Sequence, residues 1–249
     1  MRAGLVDDVA RLLDAGADVA HTNIVGETPL RVACHKNQVA VARLLLDRGA
    51  DVHEVDRFGS PLISTCSLGH VEVARLLIDR GADLHQVAGN GETALHCASA
   101  AGQFEAARLL IGRGADVDRM RHGGGTALTH AVEWERADRL GHAAVARLLL
   151  ERGADPRRGA RMSALALART RRAAGLAPDG SAADLVYQAS LGPWSPATHA
   201  ERPAAARARA RAILRVGYRI ASRAGRGAIR DVWLERVMPC VDMSEARAV

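Results

Sequence analysis

With 249 residues, 48% hydrophobic and 25% charged, the chain has the length and balance of one or two globular domains. No run approaches the roughly 18 apolar residues of a membrane span, and Asp7 and Asp8 stand where a signal peptide would be apolar. Four cysteines without a Cys-x-x-Cys pair argue against a disulfide framework or a zinc site. A reducing compartment, cytoplasmic or nuclear, is therefore expected. Seven aromatic residues leave the core to Ala, Leu and Val, and Lys36 is the single lysine among 34 basic residues. The charge is uneven: residues 1–156 carry a net −4 and residues 157–249 a net +10.

In chain order, the triplet Gly-Ala-Asp begins at Gly16, Gly49, Gly81, Gly114 and Gly153, at spacings of 33, 32, 33 and 39 residues. Each follows a Leu-rich stretch such as Arg43-Leu44-Leu45-Leu46, where Val39, Ala42, Leu45 and Leu46 keep helical spacing. Ahead of these stretches stand Thr28-Pro29-Leu30, Ser60-Pro61-Leu62, Thr93-Ala94-Leu95 and Thr126-Ala127-Leu128. The hydroxyl residues are placed as N-caps, and Pro29 and Pro61 fall in the first helical turn, where a missing N–H costs nothing. A short first helix is predicted to end near Asn37, Gly69, Gly102 and Gly141, and a second helix at each triplet glycine. Cys34, Cys66 and Cys97 lie in these apolar stretches and read as small buried hydrophobes.

The period and these recurring segments resemble the ankyrin repeat, whose signature is Thr-Pro-Leu-His-x-Ala. The resemblance covers residues 1 to about 170 and implies an all-α solenoid of stacked helix pairs with short projecting hairpins, followed by a C-terminal basic helical extension. The expected division is repeats over 1–175 and a linker with an Arg-rich helical tail over 176–249. Within the repeats it runs as a partial unit 1–22, full units 23–55, 56–87, 88–120 and 121–158, and a degenerate closing unit 159–175. The partial unit enters at Gly4 without a first helix, so a fragment, or a cap supplied from elsewhere, is expected there. The segment 175–205 reads as a loose connection. Beyond it Arg207, Arg211, Arg215, Arg219 and Arg223 recur every four residues beside an Ile213, Val216, Ile220 stripe. Docking on the last repeat, an acidic or protein partner, and weak binding to nucleic acid or lipid polyanions are the three readings of this tail.

Five of the ten histidines have structural readings: His96 is the signature residue, while His70, His142, His53 and His85 sit at fixed repeat positions. His35, His122 and His130 are less constrained. Cys34-His35 and His96-Cys97 are adjacent on helices and diverge too far for a nucleophile–base pair. Gly123-Gly124-Gly125-Thr126 lacks the lysine and preceding strand of a phosphate loop. No catalytic residue, metal or cofactor is expected. The resemblance implies one or more protein partners, a monomer, and contact along finger tips and first helices. The residues so placed are Ile24, Val25, Glu27, His35, Lys36, Arg57, Phe58, Ser67, Leu68, Asn90, Glu92, His122, Glu133 and Trp134. Aromatic anchors favour Phe58 and Trp134. The expected function is a non-catalytic protein-binding module. The alternatives are a substrate-recruiting adaptor of ubiquitin-ligase type, a basic-tail tether to nucleic acid or anionic membrane, and the regulatory part of a longer enzyme or channel.

Overall fold

A computed structural model describes residues 2–55, 59–135, 141–159, 163–178 and 181–191. Contacts gather Met1–Ala189 into one compact unit and Ser190–Val249 into another. The described residues form helices and no strands. These are α1 (Arg2–Asp14), α2 (Pro29–His35), α3 (Val39–Asp47), α4 (Pro61–Leu68), α5 (Val71–Asp79) and α6 (Ala94–Ala100). They continue with α7 (Phe104–Gly112), α8 (Ala127–Glu133), α9 (Gly141–Glu151), α10 (Ala164–Ala173) and α11 (Ala182–Ser190). The first helices α2, α4, α6, α8 and α10 make one row and the second helices α1, α3, α5, α7 and α9 the other.

The first helices start where the hydroxyl caps stand. The Arg31 N–H donates to Thr28 Oγ1 at 3.4 Å and the Thr129 N–H to Thr126 Oγ1 at 3.4 Å, so orphan amides of the first turn find partners. One turn of Leu and small residues follows. Leu30, Leu62, Leu95 and Leu128 are buried, as are Ala33, Ala98 and Ala131. Left-handed Asn37 (φ 54), Gly69 (φ 74) and Gly102 (φ 67) then reverse the chain into the second helix.

The Gly-Ala-Asp triplet is a stop signal in three parts. Gly49, Gly81, Gly114 and Gly153 hold φ between 86 and 93. A Cβ there would meet nothing within 4 Å, so left-handed backbone and not space demands glycine. The alanine N–H bonds back to the helix, as Ala50 to the Leu45 carbonyl at 3.0 Å. The aspartate accepts the N–H two residues on, as Asp51 from His53 at 2.8 Å, and turns the chain into the finger. Exposed pairs Arg48–Asp14, Arg80–Asp47 and Arg113–Asp79 run along the second-helix row at 2.7–2.8 Å. Such pairs contribute about 0–1 kcal/mol each.

Three expectations need correction. Gly141 does not end α8, which closes at Trp134; Gly141 opens α9, and its Cβ would lie 2.2 Å from the Gly102 carbonyl oxygen. It is glycine because two backbones meet there. The connection expected over 175–205 contains α11, whose Ala182, Ala183 and Val186 are buried. Its cap is Ser181, which accepts the Asp184 N–H at 3.0 Å, a signal masked by Gly- and Pro-rich surroundings. Cys97 is half-buried, with Sγ 3.7 Å from Glu92 Oε2, because Glu92 stands beside it at the finger base. The basic tail helices, Arg207 to Arg223 included, lie outside the described residues.

Two substitutions separate the causes at work. Leu95→Ala, in the middle of the first-helix row, should cost about 2–5 kcal/mol in a urea melt. Gly141→Ala should also destabilise, although alanine in a helix is ordinarily favoured over glycine by about 1 kcal/mol. A Gly141→Ala protein that melts higher would show that the approach to Gly102 relaxes.

Candidate functional site

The first-helix ends and the finger hairpins form the surface that the stack leaves uncovered. Three fingers close on themselves: the Asn23 N–H donates to the Glu27 carbonyl at 3.0 Å, Ala88 to Glu92 at 2.9 Å and Arg121 to Gly125 at 2.9 Å. Neighbouring fingers are tied by the His122 N–H to the Asn90 carbonyl at 3.2 Å and by Gln86 Nε2 to the His53 carbonyl at 2.8 Å. A partner would therefore meet preordered backbone, with little conformational entropy left to lose.

Ile24 and Val25 stand out at the first tip, Ile24 wholly exposed. Glu27 is half-buried and accepts from Asn23 Nδ2 at 3.2 Å. His35 and Lys36 are exposed at the end of α2. Ser67 is half-buried with its carbonyl accepting Gln103 Nε2 at 3.4 Å, and Leu68 beside it is exposed. Asn90 and His122 are exposed on successive fingers. Trp134 is 51% exposed as the closing residue of α8. Arg57 and Phe58 lie outside the described residues.

Glu92 and Glu133 belong to a half-buried polar cluster that sequence reasoning did not assemble. Arg121 Nε lies 3.9 Å from Glu92 Oε1, and Arg121 Nη2 lies 3.9 Å from Glu133 Oε2. Behind them His130 is 2% exposed, its Nε2 3.5 Å from Glu92 Oε1, its ring edge-on to His96 at 5.4 Å. Neither ring nitrogen of His130 has a hydrogen-bond partner among the described residues. The period could have shown Arg121 and Glu92 on adjacent fingers, but the burial of His130 depends on helix packing that spacing alone leaves open.

The repeat histidines stitch units together. His96 Nδ1 accepts the Thr93 N–H at 3.2 Å and lies 2.9 Å from Thr93 Oγ1, leaving Nε2–H to donate to the Gly125 carbonyl at 3.3 Å. His70 Nδ1 donates to the Cys34 carbonyl at 3.1 Å and His142 Nε2 to the Ala100 carbonyl at 2.9 Å. Arg171 of α10 donates to the carbonyls of Val132, Glu133 and Glu135, covering the end of α8. The Glu135 carboxylate in turn accepts the Ala183 N–H at 3.3 Å at the start of α11. Burial pushes the Cys34 thiol up from 9.0 to about 12, and burial with Glu92 does the same to Cys97. The Cys66 thiol is also raised by burial. These cysteines are poor nucleophiles. No group of three His, Cys, Asp or Glu among the described residues could hold a metal ion, and no described helix is long and apolar enough to cross a membrane.

Burial lowers the proton affinity of His130 below the ordinary 6.5, with the Glu92 charge opposing and His96 and Arg121 adding; burial also lowers that of His96. The unfolded chain therefore binds more protons, and this stability is present above the ordinary imidazole value and lost as pH falls below it. Between pH near 7 and pH near 5 the unfolding free energy should drop by about 1–2 kcal/mol from His130. Urea melts of the chain and of His130→Gln check it: the variant should lose most of the slope, and equal slopes would remove His130 as its source.

No curated protein matches the chain. A family model of ankyrin repeats, three copies long, matches residues 1–88 and 81–160. Fold, caps, finger hairpins and signature histidine agree with that match, and the chain belongs to the ankyrin repeat family, an architecture that serves protein–protein interaction.

Proposed function

We propose that this chain is a non-catalytic module that holds a protein partner on its fingers and first-helix ends. One observation carries the reading. Val55, Val87 and Met120 occupy the same place in three successive units, four residues after each triplet aspartate, and are 50%, 37% and 46% exposed. With Ile24, Val25, Leu68 and Trp134 they put large apolar groups where the fold needs none. Isolated exposed apolar residues are ordinary, but a row recurring with the repeat has the character of an interaction surface. Rigid fingers carrying Trp and aliphatic groups suit steric and apolar complementarity. A monomer in a reducing compartment, cytoplasmic or nuclear, fits this use.

The paired substitution Val87→Glu with Met120→Glu, and separately Trp134→Ala, should leave the melting transition within the roughly 0.5 kcal/mol of a surface change. Each should weaken a protein captured by the full chain tenfold or more if it removes at least about 1.4 kcal/mol. Retention of all captured partners by the triple variant, with an unchanged melt, would move the interface off the fingers.

The net +10 of residues 157–249 supports a second reading, a tether to nucleic acid or anionic membrane, and the adaptor reading would use the same segment to recruit machinery. The sequence carries six arginines from Arg207 to Arg223. Retention on heparin should be weak and fall steeply with salt, close to one unit of logarithmic slope per contact. Retention indifferent to several hundred millimolar salt would exclude such a tether.

A further inference from the structure

Deeply placed carboxylates of this stack are met by nitrogen donors at several points. Asp118, 19% exposed, accepts the Asp155 N–H at 3.0 Å, and Asp184, 6% exposed, accepts from Arg172 and Gln188. Glu92 at the base of a finger and Glu133 at the end of α8 are 19% and 30% exposed and lack such donors. Both are held only loosely by Arg121, whose Nε lies 3.9 Å from Glu92 Oε1 and whose Nη2 lies 3.9 Å from Glu133 Oε2. Neither length is a hydrogen bond. Arg121 Nε and Glu133 Oε2 are buried without a hydrogen-bond partner among the described residues, and Glu92 Oε2 meets only a thiol, that of Cys97, at 3.7 Å.

Charge is unbalanced at the same place. Two carboxylates share one guanidinium, which leaves this trio with one negative charge uncompensated. His130, 2% exposed, aims Nε2 at Glu92 Oε1 from 3.5 Å, and neither of its ring nitrogens has a hydrogen-bond partner. It brings no charge at neutral pH, because burial holds its proton affinity down near 4. Arg171 spends its fork on the carbonyls of Val132, Glu133 and Glu135, not on the carboxylates. Half-buried carboxylates with unspent acceptor capacity are costly to leave unmet. This pair, opening on the finger bases and first-helix ends, therefore suits a cationic donor from outside the chain. Arginine fits better than lysine, since its planar fork of five N–H donors can serve two carboxylates at once.

We propose that Glu92 and Glu133 seat one arginine side chain of a protein partner, its guanidinium donating to both carboxylates beside Arg121. The inference rests on the finger-face reading and adds the partner's chemistry to it: an apolar surface that carries an exposed arginine.

The probe is N-acetyl-arginine amide, titrated into the isotope-labelled full chain at constant ionic strength and followed by amide NMR. N-acetyl-citrulline amide is its uncharged isostere. Saturable shifts centred on Glu92, Arg121 and Glu133 are expected, with a dissociation constant on the order of 10 mM. Glu133→Gln should weaken binding severalfold, and Glu92→Gln is the second variant, with melts verifying both folds. The proposal is overturned by absence of saturation up to about 100 mM, by equal binding of the citrulline amide, or by indifference to both glutamine substitutions. Failure of the finger reading has a different signature. Val87→Glu with Met120→Glu, which leaves both carboxylates in place, would then keep every captured partner, whereas an arginine seat that fails alone leaves that capture still weakened.

Discussion

Every unit of this molecule buries only part of its apolar surface by itself, and the remainder must be covered by a neighbour. The contact that satisfies this is the close approach of first helices, and it depends on small side chains. Ala33, Cys34, Cys66, Ala98, Ser99 and Ala131 are at most 1% exposed. Leucines fill the spaces on either side of that seam. A chain with seven aromatic residues has little else with which to build a core, and this geometry needs little else. The helices are short for the same reason: each has to present one turn of Leu and Ala, and a cap at each end supplies most of the rest.

Polar groups then hold the spacing that packing sets. Because the histidines reach from one unit to the backbone carbonyl of the last or the next, they satisfy acceptors that would otherwise be buried and unpaired. The closing end uses other chemistry. Arg171 covers the end of α8 and Glu135 the start of α11, so a guanidinium and a carboxylate do there what imidazoles do inside the array. Arg172, 4.6 Å from the centroid of the Tyr187 ring and 3.4 Å from Asp184, fastens the last helix further.

The array was legible because its local rules repeat: hydroxyl caps, prolines and triplet glycines each specify backbone without reference to distant residues. Failures came where distant parts decide. Gly141 matched Gly69 and Gly102 by position, yet its role is set by the Gly102 backbone about forty residues away. Helix α11 hid in composition, because Ala182, Ala183 and Val186 bury themselves only against elements already folded. The row Val55, Val87 and Met120 is periodic in the sequence, but its exposure is set by how the fingers fold, which the period leaves open. His130 looked unconstrained, since nothing in its neighbourhood along the chain announces the ring of His96 or the carboxylate of Glu92.

A stack of nearly identical units faces a problem of address: any first helix fits reasonably against any second helix, so a skipped or exchanged unit is a near-isoenergetic error. The third residue of a first helix resolves it at two joints. Arg31 reaches Gly59, Ile63 lies where a Cβ on Gly59 would be 3.1 Å away, His96 reaches Gly125, and Thr129 turns back to Thr126. Four chemically different side chains thus occupy one position in four units, and two of them, Arg31 and His96, reach the next unit. Exchanging either with Ile63 or Thr129 would deprive the Gly59 or Gly125 carbonyl of its side-chain donor. The seam of leucine and alanine makes the units stick, while Arg31 and His96 each tie a joint to one particular neighbour.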